Sequence, residues 1–224
     1  MPGKNTIKTY VENGYYHIYN RGVEKRKIFM TGQDYGVFLG YLKEYLSLKD
    51  TDVLQKLLAN PQINWREKDR ALKALRLNNF FNEVDLLAYC LMPNHFHLLI
   101  RQNSAESINK FTQSLCTRYT IYVNKKYKRV GPLFQSVYKA VLVSTDEQVL
   151  QISKYIHKQS SCLNRKRLVT QPSSFPDYSN KRQTGWLKPQ IILSYFSQSQ
   201  PHVDYKKFVS EEQDLTMISK LSLD

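Results

Sequence analysis

The chain has 224 residues, enough for one domain with a well-filled core and some appendages. Its hydrophobic fraction of 42% and charged fraction of 23% are typical of a globular protein, and no apolar run approaches the ~20 residues of a membrane helix. The 33 Lys and Arg against 19 Asp and Glu give a net charge of +14, and 16 tyrosines are interleaved with them. A basic, Tyr-rich surface favours a polyanion with unpaired bases that can stack, whereas the alternative is that the charge only maintains solubility.

The three cysteines, Cys90, Cys116 and Cys162, form neither a CxxC pair nor an even disulfide set, and the amino terminus lacks the apolar core of a secretory signal. We therefore expect a cytoplasmic protein.

The first elements follow from periodicity. Residues 15–20 are aromatic and β-branched and precede an Arg-Gly turn, which predicts a strand. Asp34 can then cap a helix whose apolar side chains recur at i, i+3, i+4 and i+7. Residues 50–82 have irregularly spaced leucines and predict a helical insertion.

A strand is predicted next over 84–91, followed by a turn at Pro93-Asn94 and a returning strand over 95–101. Apolar residues at helical spacing from Ile108 to Tyr122 predict a helix that ends in a basic cluster at 124–129. A strand over 136–143 and a helix from about 147 to 160 complete the pattern.

Without the insertion, the order βαββαβ predicts an α+β fold of the ferredoxin-like class, an antiparallel sheet with helices on one face. The later helix is additional, and the opposite face of the sheet is expected to be free for a ligand. We expect one main domain over 10–160, with its helical insertion at about 50–82. Residues 161–224 are interpreted as a basic and polar C-terminal extension with one helix near 210–221.

His95 and His97 project from the same face of their predicted strand. An HxH pair alone is weak evidence for a metal site, because two hydrogen-bonded core histidines would give the same pattern. Tyr155 and Gln159 are four residues apart and therefore neighbours on one helix face. An amide oxygen beside two imidazoles would form an incomplete shell suited to Mg²⁺ or Mn²⁺, with open positions for phosphate oxygens.

Four segments carry a resemblance to a known family: YHIYNRG (16–22), PNHFHLL (93–99), GPLFQSVYKAVLV (131–143) and KYIHKQ (154–159). In this order they resemble the HUH single-tyrosine transposases of the insertion-sequence type, most closely the REP-associated tyrosine transposases. The resemblance covers roughly residues 10–160. Many relatives read YIHxNP where this chain reads YIHKQSS, which affects the assignment to a branch more than the chemistry.

The resemblance implies that His95, His97 and Gln159 hold a Mg²⁺ or Mn²⁺ ion and that Tyr155 is the nucleophile. It implies cleavage and rejoining of single-stranded DNA near hairpins through a 5′-phosphotyrosine, in a bacterial cytoplasm in association with the nucleoid. The long extension favours a monomer, with a homodimer as the alternative. A second hypothesis is a non-catalytic or domesticated protein that binds single-stranded nucleic acid on the same fold.

Eight basic residues are candidate phosphate contacts, although each could equally be a solvated surface charge: Arg21, Lys125, Lys126, Lys128, Arg129, Lys139, Lys154 and Lys158. His17 is interpreted as structural, His157 as pointing away from Tyr155, and Cys90 as a core residue.

Overall fold

The computed structural model describes residues 10–162 and 171–212. Its centre is an antiparallel sheet of four strands: β1 (Tyr15–Arg21), β2 (Val84–Met92), β3 (His95–Gln102) and β4 (Lys139–Val143). The strand order is β2-β3-β1-β4, with β3 and β1 in the middle. This is the order expected for the ferredoxin-like arrangement, so the predicted fold class is confirmed. The last strand is shorter than the predicted 136–143.

Two helices cover one face of the sheet, α1 (Gly32–Leu46) and α4 (Ser107–Lys126). A capping box between Thr31 and Asp34 begins α1. The Phe38 ring of α1 contacts Phe96 of β3 at a centroid separation of 5.3 Å and Tyr119 of α4 at 5.0 Å. The apolar periodicity of both helices therefore identifies the side chains that form this half of the core.

The insertion consists of two helices that pack against each other, α2 (Thr51–Ala59) and α3 (Trp65–Arg76). The ammonium group of Lys49 donates hydrogen bonds to the carbonyl oxygens of Leu75 and Leu77, at 2.7 and 2.6 Å. These bonds hold the two ends of the insertion together. The insertion lies within the predicted interval 50–82.

The opposite face of the sheet is not free, contrary to the sequence-based expectation. Helix α5 (Asp146–Cys162) lies across it, and Ile152, Tyr155 and Ile156 are buried there. The sheet is therefore covered on both faces. The reason is that β2 and β3 present buried apolar side chains on this face as well, among them Leu99, and those side chains need a partner to exclude water.

The segment after α5 packs on β2 and α5 through three short helices, α6 (Phe175–Tyr178), α7 (Gln190–Leu193) and α8 (Pro201–Ser210). Tyr178 and Tyr205 are fully buried in this packing. The helix predicted near 210–221 falls almost wholly on residues outside the described part of the chain, and the division at 160/161 stays a prediction. No helix among the described residues is long and apolar enough to cross a membrane.

Candidate active site

The two histidines of the HxH pair lie at the start of β3 on the face covered by α5. His97 is fully buried and His95 is partly exposed. Their rings are perpendicular, with centroids 4.9 Å apart. In the sheet register His95 lies opposite Arg21, and His97 lies opposite Tyr19. The strand alternation thus places both imidazoles side by side, as the sequence predicts.

Asn94, the last residue of the turn, fixes the tautomer of His95. The side-chain amide nitrogen of Asn94 donates to the carbonyl oxygen of Lys25 at 3.2 Å, so the amide oxygen faces His95. That oxygen lies 2.7 Å from Nδ1 of His95 and can only accept. Nδ1 of His95 therefore carries the proton, and the lone pair of the ring is on Nε2.

Nδ1 of His97 is also hydrogen-bonded, in this case to Nε2 of His17 at 2.9 Å. Its other nitrogen, Nε2, is buried and has no hydrogen-bond partner within residues 10–162 and 171–212. Burial, followed by the neighbouring His17, His95 and Arg21, holds the pKa of His97 well below its ordinary value. His97 is therefore a neutral imidazole with one unsatisfied nitrogen inside the protein.

Tyr155 comes to the histidines from α5 of the same chain. Its ring centroid is 5.4 Å from that of His97 and 6.0 Å from that of His17, in edge-on contacts. The side chain is 6% exposed. Gln159 follows one turn later on the same helix face and is partly exposed. The structure thus brings together His95, His97 and Tyr155 as predicted, with Gln159 one turn farther along the helix.

The donor set of this site fits a divalent ion. Nε2 of His95 has a lone pair, and Nε2 of His97 is a buried polar atom that lacks a partner in the described chain. No group of three His, Cys, Asp or Glu side chains that could hold a metal occurs among the described residues. A complete shell therefore needs a different donor, and the amide oxygen of Gln159 is the candidate from the sequence.

Two of the predicted phosphate-contact residues lie at the site. Arg21 ends β1 directly opposite His95. Lys139 begins β4 opposite Tyr19, is exposed, and has its ammonium group 5.8 Å from the centre of the Tyr19 ring. Both cations are on the strand ends that surround the histidines, where a bound phosphate would need compensation of its charge.

Two other candidates are engaged inside the protein, so the structure does not support a phosphate-contact role for them. Lys126 pairs with the buried carboxylate of Asp34 at 2.7 Å. Lys154 is 2% exposed, donates to the carbonyl oxygen of Glu212 at 2.8 Å and lies 4.6 Å from the Phe208 ring centroid. Both lysines stabilise the packing of the fold.

The remaining four candidates are at least partly exposed. Lys158 is on α5 and donates to the carbonyl oxygen of Glu211. Lys125, Lys128 and Arg129 lie at the end of α4, where Arg129 also donates to the side chain of Asn124 at 3.2 Å. Their exposure is compatible with DNA contact and equally with a solvated surface.

His157 is a buried structural residue, in agreement with the orientation predicted for it. Its two ring nitrogens are each 2.7 Å from a hydroxyl, that of Tyr205 and that of Ser174. Cys90 is a fully buried free cysteine, as expected.

The sequence reasoning missed the contacts of Asn94 and His17. The signal for Asn94 was its position next to His95 in the turn. For His17 it was the alternation that places residues 17, 19 and 21 on the same face as the HxH pair.

Comparison with known proteins finds one family model and similar solved structures. The family model described as "Transposase IS200 like" matches residues 62–159, which include all four predicted site residues. No curated protein sequence matches the chain.

Among solved structures, a REP-associated tyrosine transposase bound to a REP hairpin matches with a TM-score of 0.50 and 9% sequence identity. The match covers 83% of this chain and 97% of the other chain. A candidate transposase from Deinococcus radiodurans R1 matches with 19% identity over 71% of this chain and 97% of that one, at a TM-score of 0.28. The resemblance seen in the sequence is therefore confirmed: residues 62–159 are similar to the IS200-like transposases, and the fold is similar to that of a REP-associated tyrosine transposase.

Proposed function

We propose that the protein is a metal-dependent transposase that cleaves and rejoins single-stranded DNA near hairpins through a 5′-phosphotyrosine at Tyr155. One observation carries the proposal. The buried, unsatisfied Nε2 of His97 lies in the same cluster as a tyrosine delivered by the helix of its own chain. A structural histidine pair needs no adjacent tyrosine and would be expected to use both ring nitrogens, as His157 does.

The residues of the site have separate tasks in this reaction. His95, His97 and Gln159 hold a Mg²⁺ or Mn²⁺ ion, which supplies Lewis-acid polarisation of the scissile phosphate when bound. The phenolic oxygen of Tyr155 forms a bond to phosphorus, and its proton passes to water or a base. The bond from phosphorus to the 3′ oxygen breaks, and that oxygen takes up a proton from water and leaves as a free 3′-OH. The phosphodiester energy is kept in the 5′-phosphotyrosine, so a later 3′-OH can reseal the strand.

The charge of the protein favours DNA as substrate. The net charge of +14 and the positions of Arg21 and Lys139 at the site provide compensation for phosphates. Hairpin DNA is proposed because the matched REP-associated tyrosine transposase is bound to a REP hairpin. Base stacking on tyrosines contributes less than the composition indicates, since nine of the 16 tyrosines are buried within the described chain.

The test uses purified protein with hairpin DNA that carries single-stranded flanks, labelled at either the 5′ or the 3′ end, in Mn²⁺ or Mg²⁺. We expect a covalent adduct on a denaturing gel that contains the 3′ portion of the strand, joined through its 5′ phosphate. Tyr155→Phe should abolish the adduct. Tyr19→Phe is a matched control, because Tyr19 is the other tyrosine whose ring contacts His97.

Chelation of the metal should abolish the adduct without unfolding the protein. Tight hairpin binding by the wild type with no adduct in either metal would contradict the proposal. That result would support a non-catalytic nucleic-acid-binding protein on the same fold.

A further inference from the structure

His17 has no task in the reaction as described, yet it is fully buried against the site. Its Nε2 lies 2.9 Å from Nδ1 of His97. The two rings are stacked, with centroids 5.1 Å apart and planes inclined by 20°. Its neighbours across the sheet on either side, Leu99 and Val141, are apolar. A third apolar residue would be less costly at this position unless the imidazole has a specific hydrogen-bonding role.

The geometry points to His17 as the positioning residue of His97, which accepts a hydrogen bond from Nδ1–H and holds Nε2 as the metal-binding nitrogen. This inference rests on the proposed metal site. It goes beyond that proposal because it assigns a role to a residue that neither the HxH pair nor the catalytic helix contains.

The role of His17 follows from where the single ring proton of His97 can be. A neutral imidazole has one N–H and one lone pair. If the proton of His97 were on Nε2, a buried N–H would lack an acceptor in the described chain, and that nitrogen could not bind a metal ion. With the proton on Nδ1, the N–H donates to His17 and the lone pair of Nε2 is available. Acceptors behind a metal-binding histidine also raise its basicity as a ligand.

His95 has the same arrangement, with Asn94 in the place that His17 has behind His97. Nδ1 of His95 donates to the amide oxygen of Asn94, so the lone pair of this ring is also on Nε2. Each member of the pair therefore has a dedicated acceptor behind it. Asn94 supplies this acceptor from the turn before β3, and His17 supplies it from the adjacent strand β1.

Metal titration of three variants tests the inference. His17→Phe keeps a ring of similar size without an acceptor, whereas His17→Gln places an amide oxygen near the position of Nε2. We expect His17→Phe to weaken Mn²⁺ binding about 10–100-fold by calorimetry, and His17→Gln to restore most of the affinity. Tyr16→Phe is the control, since Tyr16 is buried on the same strand but on the opposite face and accepts a hydrogen bond from the backbone of Val11.

Equal Mn²⁺ affinity for wild type and His17→Phe would overturn the inference. If His17→Phe and His17→Gln weakened Mn²⁺ binding equally, the inference would also be overturned. The shape of the imidazole ring, rather than its hydrogen-bond acceptor, would then determine the affinity. All variants are first shown to be folded by circular dichroism.

Nitrogen-15 NMR of the metal-free protein separates this inference from the proposed function. We expect Nδ1 of His97 to be protonated in the wild type and in His17→Gln, and the proton to move to Nε2 in His17→Phe. An unchanged tautomer in His17→Phe would overturn the positioning role even if the protein binds metal and cleaves DNA. Wild-type protein that shows the expected tautomer but binds no Mn²⁺ would instead contradict the proposed function.

Discussion

Replacement of His157 by Phe tests how the C-terminal segment is attached to helix α5. His157 lies on α5 two residues after Tyr155, and its ring is surrounded by the rings of Phe175, Tyr178 and Tyr205. A phenyl ring fits among these aromatic neighbours. The substitution therefore removes the two hydrogen bonds of the imidazole with little change in volume.

The expected loss follows from the partners that remain. The hydroxyl of Tyr205 still donates to Ser153 at 3.0 Å, and the hydroxyl of Ser174 still accepts from the backbone of Tyr89 at 2.8 Å. Both hydroxyls therefore keep a hydrogen-bond partner. The substitution should lower the free energy of unfolding only by the contribution of two ordinary hydrogen bonds, about 2 kcal/mol. For a protein of this size that corresponds to a fall in Tm of about 4–8 °C.

Thermal and urea denaturation followed by circular dichroism measure this loss. Tyr178→Phe is the matched comparison, because Tyr178 is equally buried in the same cluster but donates a single hydrogen bond, to the carbonyl oxygen of Leu87 at 2.7 Å. We expect it to cost about 1 kcal/mol. A His157→Phe variant as stable as wild type would refute the view that His157 anchors the C-terminal segment.

Three further predictions follow. Burial raises the pKa of Asp34, but hydrogen bonds from Lys126, Tyr127 and the backbone outweigh it and lower the pKa below its ordinary value. Asp34→Asn should therefore cost about 2–4 kcal/mol at pH 7; in urea denaturation this difference should begin to shrink below about pH 4, where the unfolded carboxyl takes up a proton, and should keep shrinking as the pH falls towards the lowered folded pKa. Lys139→Ala should lower the salt dependence of single-strand binding, measured by fluorescence anisotropy, by about 0.7 in log–log slope, whereas Lys154→Met should leave that slope unchanged and destabilise the fold. Asn94→Ala should weaken Mn²⁺ binding in calorimetry about 10–100-fold, and undiminished affinity would exclude its role behind the HxH pair.

Local periodicity was enough to predict the elements that form the sheet and the covering helices. The alternation of His95 to Ile100 specifies which side chains share a face of the sheet, and the spacing of Phe111, Leu115 and Tyr119 specifies the buried face of α4. Both patterns depend only on residues that are close in the sequence, so they can be recognised without knowing which segments pack together. The same reasoning placed the HxH pair on one face.

The contacts that depend on packing between distant segments could not be predicted in this way. His17 lies diagonally across the sheet from His97, and this relation depends on the register of β1 against β3. From the sequence alone, Lys154 is expected to be a surface charge on a helix. The C-terminal segment instead covers it, and the ammonium group contacts a carbonyl oxygen and the Phe208 ring of that segment. That segment has short helices and little periodicity, so its packing over α5 could not be predicted.

Mass-spectrometric mapping of the trapped protein–DNA adduct tests the central claim most directly. Protein incubated with flanked hairpin DNA and Mn²⁺ is denatured, digested with nuclease and trypsin, and searched for a peptide that carries a nucleotide. The account predicts a 5′-linked phosphate ester on Tyr155, absent from Tyr155→Phe and from chelated samples. An ester on Tyr19, whose ring also contacts His97, or no modified tyrosine at all, would contradict it.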